Sequence, residues 1–184
     1  LRDKKINTVA IVTQDNSHAK FVSDAMENGK HVFVEKPLAI NHEQLNQVID
    51  KYEQVNESGS INLMVGFNRR FAPHVKKMMS LLTPIKAPKS FIMTMNAGAI
   101  PADHWTQDIE KGGGRIIGEA CHFIDLMRFL AASPIVSVDA RCMGDNDTTE
   151  ICEDKAVITL AFEDGSFGTI HYFANGASSF PKER

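Results

Sequence analysis

The chain has 184 residues, enough for one large domain or two small ones with a substantial core. Apolar residues make up 43% and charged residues 23%, a balance that excludes disordered, collagen-like and coiled-coil classes. Twenty basic against twenty-three acidic side chains leave a formal net charge of -3, so there is no electrostatic footprint for a phosphate backbone and nucleic acid is not an expected partner.

A strand-like run, Val-Ala-Ile-Val at 9–12, opens the pattern. After Thr13 comes a turn-rich Gln-Asp-Asn-Ser, with Ser17 as a candidate N-cap for a helix in which Phe21, Val22, Ala25 and Met26 recur at helical spacing. Gly29 stops it. Residues 31–34 form a short β-branched and aromatic run, and Glu35-Lys36-Pro37 ends it, because proline cannot continue a central ladder. A second helix is predicted from Asn41 as cap, with Leu45, Val48, Ile49 and Tyr52 on one stripe and Gly59 beyond its end. Residues 61–65, stopped by Gly66, give a third strand. Strand, helix, strand, helix, strand at this spacing builds a parallel sheet, since parallel neighbours need a crossover of about a dozen residues. In such sheets ligands collect beyond the carboxyl ends of the strands, which singles out the loops at 13–18, 35–37 and 67–71.

Beyond residue 66 the pattern changes. A helix is predicted over 73–82, a strand over 90–97, and, after a polar loop, a helix over 116–130 that Pro134 closes off. Three strands follow, at 136–142, 156–162 and 167–173, the last two joined by Asp164-Gly165, a hairpin signal. The fold class is therefore α/β followed by α+β: residues 1–66 read as part of a doubly wound domain with a parallel sheet, and residues 67–184 as an α+β domain with a mainly antiparallel sheet.

No apolar run reaches the roughly 18 residues that cross a bilayer, and Leu-Arg-Asp-Lys-Lys at the start is not followed by a signal-type stretch, so no membrane partner and a cytoplasmic location are expected. Cys121, Cys142 and Cys152 are odd in number and lack paired spacing, which argues for reduced thiols over a disulfide framework or zinc ribbon; no metal is expected. The glycosylation sequons at Asn56 and Asn146 are read as chance matches in the absence of a secretory signal.

Lys36 lies at the end of a predicted buried strand between Glu35 and Pro37, so its ammonium would project into the ligand crevice at a defined angle, where it can do proton chemistry. By itself the tripeptide favours a solvated loop lysine. Glu119, His122 and Asp125 are spaced by three and form one polar row on a helix within an apolar segment, where carboxylates at i-3 and i+3 can fix the imidazole tautomer for a proton relay. A structural histidine is the alternative; a di-iron reading would need a second Glu-x-x-His, and none is present. Gly112, Gly114 and Gly118 imitate a dinucleotide fingerprint, but no buried strand precedes them, and a tight turn with a close approach is expected. Arg69 and Arg70, at the third strand's end, could hold an anionic or hydroxylated ligand, with a plain surface arginine as the alternative for at least one of them.

In this order these pieces resemble the glucose-fructose oxidoreductase / inositol dehydrogenase / MocA (Gfo/Idh/MocA) family, over nearly the whole chain. The resemblance rests on residues 13–18 after a strand, on Gly29 through Pro37, on Gly66-Phe67-Asn68-Arg69-Arg70-Phe71, on Trp105 before the triple glycine, and on Cys121-His122 with Asp125. It implies NAD(P)-dependent hydride transfer to or from a hydroxyl carbon of a sugar, sugar derivative or cyclitol. Lys36 would polarise the reacting oxygen and His122 would exchange the proton, with Glu119 and Asp125 beside it. Thr13, Asn16, His18, Glu35 and Lys36 would face the cofactor, NAD or NADP, and Asn68, Arg69 and Trp105 would edge the same cleft. The resemblance implies that residues 1–66 are the latter part of a dinucleotide-binding (Rossmann) domain, that residues 67–184 are a substrate and oligomerisation domain with an open sheet, truncated at its C-terminal end, and that the protein is a homo-oligomer through that sheet. Two departures stand out: where the family commonly has an aspartate four residues before the histidine, this chain has Gly118, and the Gly-rich pyrophosphate turn is absent. The chain is therefore read as a fragment of a larger enzyme, inactive in isolation and binding NAD(H) weakly. The module also resembles a branch fused after a zinc-dependent alcohol-dehydrogenase-like domain. A family relative acting as a ligand-sensing or assembly module, without catalysis, is the alternative.

Overall fold

The computed structural model describes residues 1–56, 59–144, 151 and 153–183; Cys152 and the sequon asparagine at 146 lie outside the described residues. The chain divides into two compact units, one made of Leu1–Phe67 with Trp105–Gly118 and the other of Asn68–His104 with Glu119–Arg184.

In the first unit, strands β1 (Thr8–Ile11), β2 (His31–Val34) and β3 (Leu63–Val65) alternate with helices α1 (His18–Glu27) and α2 (His42–Val55). The strands pair in parallel in the order β1-β2-β3, with Ile11 opposite Val34 and Val34 opposite Val65. Each helix is the crossover that a parallel neighbour requires. Val22, Ala25 and Met26 of α1 and Val48 of α2 pack on Ile11, Val32, Val34 and Ile61 to form the core. The buried stripes are narrower than the periodicity predicts: Phe21 is 41% and Ile49 44% exposed.

The two helix starts differ. Asn41 has extended backbone, and its Oδ1 accepts the Gln44 N–H at 2.9 Å, so it caps α2 as expected. Ser17 does not cap α1. It already has helical dihedrals within a short 3₁₀ turn, Asp15–Ser17, and its hydroxyl donates back to the Gln14 carbonyl at 2.7 Å while accepting from the Thr13 hydroxyl at 2.6 Å.

The second unit contains α3 (Pro73–Leu82), β4 (Ser90–Asn96), α4 (Cys121–Ala131), β5 (Ile135–Cys142), β6 (Lys155–Phe162) and β7 (Phe167–Phe173). Its sheet has the order β4-β7-β6-β5; β5, β6 and β7 are antiparallel, whereas β4 runs parallel to β7. The hairpin joining β6 and β7 turns at Gly165 (φ +85°), and the Ser166 N–H donates to Asp164 Oδ1 at 3.0 Å. Ala156, Ile158, Leu160, Ile170 and Tyr172 are buried on the same side of the sheet as Phe123, Met127 and Leu130 of α4. Gly168 permits that packing, since a Cβ there would stand 2.6 Å from Met127 Sδ. Among the described residues no helix is long and apolar enough to cross a membrane.

The contrast between the two caps is measurable. Asn41→Ala should lower unfolding stability by about 1 kcal/mol in urea titrations, while Ser17→Ala should cost less than about 0.5 kcal/mol.

Candidate active site

In the first unit the predicted cofactor-side residues gather at the carboxyl ends of β1 and β2. His18 is 1% exposed. Its Nδ1 lies 2.7 Å from the Pro37 carbonyl oxygen and its Nε2 3.0 Å from that of Thr13, so one ring ties the two loops together. Carbonyl oxygens only accept, and a neutral imidazole has a single N–H, so both contacts are hydrogen bonds only when the ring carries two protons. The Asn16 N–H donates to the Lys111 carbonyl at 3.1 Å, and the Asn16 carbonyl accepts from Gln44 Nε2 at 3.2 Å. Thr13 is exposed just beyond β1, and Trp105, 37% exposed, begins the returning segment Trp105–Gly118. Glu35 accepts the Lys36 N–H through Oε2 at 3.3 Å; its carboxylate occupies space left by Gly66, whose Cβ would lie 3.2 Å from it.

Lys36 is half-buried, and its ammonium donates to the Gly118 carbonyl at 2.7 Å. The expected tight turn carries that carbonyl into place. Gly113 has φ +70°, and a Cβ there would come within 2.8 Å of Ile40, while one on Gly112 would come within 2.7 Å of the Thr106 backbone.

Sequence reasoning missed Asp15. In Gln-Asp-Asn-Ser it reads as an ordinary turn former, and only its place at the carboxyl end of β1 marks it. It is 8% exposed, and its carboxylate accepts no hydrogen bond among the described residues. Burial pushes this carboxyl above its ordinary value, and the nearby charges of Lys36 and His18 oppose that rise.

The second unit holds the polar row. Glu119 belongs to a short π-helical turn, Ile116–Ala120, that leads into α4; the fully buried Tyr172 hydroxyl donates to its Oε2 at 2.5 Å, and Lys182 Nζ stands 3.3 Å from Oε1. His122 is 9% exposed on the first turn of α4. Asp125, 8% exposed, takes its hydrogen bonds from Arg70 alone among the described residues, with Nε 2.7 Å from Oδ2 and a second bond from Nη2 to Oδ1. That bidentate bond holds Arg70 above its already high ordinary pKa. Asn68 and Arg69 lie in a 3₁₀ turn, Asn68–Phe71. Arg69 Nη1 is 2.6 Å from Glu183 Oε2, and its guanidinium lies 4.6 Å from the Phe123 ring centre. Both arginines that sequence reasoning offered to a ligand are thus engaged by carboxylates. Cys121 and Cys142 form no disulfide among the described residues, and no metal-binding cluster occurs among them.

Residues 1–67 match the oxidoreductase family with an NAD-binding Rossmann fold, and residues 87–181 match the GFO/IDH/MocA C-terminal domain. The chain belongs to the Gfo/Idh/MocA family. Among its relatives, scyllo-inositol 2-dehydrogenase (NAD(+)) of Bacillus subtilis is 31% identical, over 92% of this chain and 49% of its own length. Myo-inositol 2-dehydrogenase of Thermotoga maritima is 25% identical, over 92% of this chain and 50% of its own. A levoglucosan dehydrogenase solved in complex with NADH and levoglucosan superposes with a TM-score of 0.78 at 26% identity, covering 96% of this chain and 50% of that one. The chain thus spans about half the length of the curated relatives it matches.

For a Gfo/Idh/MocA chain, a buried acid in the first loop has a measurable cost. Because the Asp15 pKa in the fold lies above its ordinary value of 3.8, the folded chain holds that proton more tightly than the unfolded chain does. The resulting stability is fully present below pH 3.8 and is lost as pH rises through the raised value. Asp15→Asn should therefore melt at a higher temperature than the parent at pH 7, and the difference should close on acidification.

Proposed function

We propose that this chain supplies the nicotinamide-side and substrate-side residues of an NAD(P)-dependent dehydrogenase acting on a hydroxyl carbon of a sugar, sugar derivative or cyclitol. The observation that carries this reading is Lys36. Its half-buried ammonium, at the carboxyl end of β2 where ligands of parallel sheets collect, uses one of its three N–H bonds on Gly118 and leaves two for a ligand oxygen.

The polar groups beyond β1 and β2 fit the nicotinamide half of a dinucleotide: the Thr13 hydroxyl, the Asn16 amide and the Glu35 carboxylate offer both donors and acceptors, and the Lys36 ammonium adds a positive charge. His18 holds their loops in fixed relation. When bound, the nicotinamide accepts or returns the hydride. Lys36 polarises the substrate oxygen and stabilises negative charge that develops there as the carbonyl forms or is reduced. His122 exchanges the hydroxyl proton. Glu119 steadies the entry to α4 through Tyr172 and Lys182, and Asp125 anchors that helix through Arg70. Asn68, Arg69 and Trp105 edge the ligand site. The inositol and levoglucosan dehydrogenases among the relatives support a polyhydroxylated ring as substrate. The solvent-facing side of the second sheet, with Ile92 and Phe167 each more than half exposed, is the surface for self-association.

The test uses the complete protein with NAD and NADP, and a panel containing myo-inositol, scyllo-inositol and levoglucosan. Lys36→Ala and His122→Ala should each lower turnover by about 10²–10⁴-fold with unchanged circular dichroism. Unaltered turnover in the lysine variant, or no cofactor reduction by the parent across the panel, would end the assignment.

A further inference from the structure

Asp15 has no place in the reaction just described, yet it is a buried acid in the loop that follows β1. Its side chain is more than nine-tenths buried, and neither carboxylate oxygen receives a hydrogen bond among the described residues. Burial disfavours the charged form of this acid, so a cation beside it stabilises the carboxylate. Of the two charged groups that act on it, His18 cannot supply the donor, because both its ring nitrogens already face the Pro37 and Thr13 carbonyls. Lys36 can, since two of its N–H bonds are uncommitted. Lys111, on the returning segment, is turned instead to Asp108 at 2.8 Å.

Gly118 brings the acid and the amine to one place. Its carbonyl holds the Lys36 ammonium at 2.7 Å, and a Cβ on it would stand 3.7 Å from Asp15 Oδ2 and 3.5 Å from the Gly112 carbonyl, both ordinary contact distances. As glycine, the position sets no side chain against that carboxylate, on which the Lys36 charge acts.

We propose that Asp15 is a positioning residue for Lys36: its carboxylate is the counter-charge that aims the ammonium at the ligand oxygen, a task this chain assigns to the β1 loop because position 118 carries no side chain. The inference rests on the dehydrogenase reading, in which Lys36 contacts the substrate. The acid must be ionised to act, so turnover falls as pH drops through its raised pKa.

The test compares Asp15→Asn, and Asp15→Asn combined with Gly118→Asp, with the parent in the complete protein. Asp15→Asn should lower kcat by about 10- to 100-fold, change KM by less than about threefold, and erase the acid limb of the kcat profile. The double variant, with a carboxylate returned from the facing wall, should regain the limb and part of the rate. A second readout needs no turnover: the ¹⁵N resonance of Lys36 Nζ should show an inflection above pH 3.8 in the parent that is missing in Asp15→Asn. The proposal is overturned if Asp15→Asn keeps kcat and profile within about twofold, if the folded double variant regains neither, or if the inflection survives the substitution. Failure of the dehydrogenase reading looks different: Lys36→Ala would retain turnover, and the inflection would still depend on Asp15.

Discussion

Two backbone carbonyls, one just past β1 and one just past β2, meet the two nitrogens of a single buried imidazole. Loops at the end of a parallel sheet carry peptide groups with no ladder partner, and each must find one elsewhere. His18 lies between two of them and fixes the spacing of the chain that follows each strand, answering both together only when its ring carries two protons. The Glu35-Lys36-Pro37 turn is thereby held relative to the 13–18 loop, which gives the Lys36 ammonium a defined direction. Without that tie the lysine would be one more flexible side chain on a loop.

The triple glycine extends the same frame. Gly112 and Gly113 let residues 112–118 settle directly against the Thr106 backbone and Ile40, closer than any side chain would permit. The Gly118 carbonyl then faces the ammonium, and Asp15 stands beside it with no donor of its own. Burial disfavours the ionised Asp15 carboxylate in the fold, and the nearby charges of Lys36 and His18 oppose that effect. Such a conflict between local stability and site electrostatics is the kind of rule-breaking that marks a functional position.

Much of this architecture is legible in the sequence because it follows from short-range rules. Asn41 before an amphipathic run predicts a capped helix, Asp164-Gly165 between two alternating runs predicts a hairpin, and β-branched segments separated by helical ones predict the parallel sheet. What is hidden depends on partners distant in sequence. Nothing near Glu119 announces that the Tyr172 hydroxyl and Lys182 will engage it, and the row Glu119, His122, Asp125 gives no hint that Asp125 is claimed by Arg70. Ser17 shows the opposite failure: a residue with the right chemistry for a cap sits one step too far inside the turn, where its hydroxyl reaches back to Gln14. Asp15 escaped notice because a turn-forming acid and a buried one look alike until the returning segment at 105–118 covers it.

The parallel edge pairing of β4 with β7 bears on how the second unit assembles. The β5-β6-β7 meander closes by pairing neighbours in sequence, at small cost in loop entropy. β4 has no such neighbour: its ladder forms only after everything from residue 97 to 166 has been threaded between the two strands. That edge is expected to lock late and slowly, so pulse-labelled hydrogen exchange during refolding should protect β6 amides before those of β4. During that interval β7 offers an open row of peptide groups, the time at which a nascent chain is most vulnerable to joining the wrong neighbour.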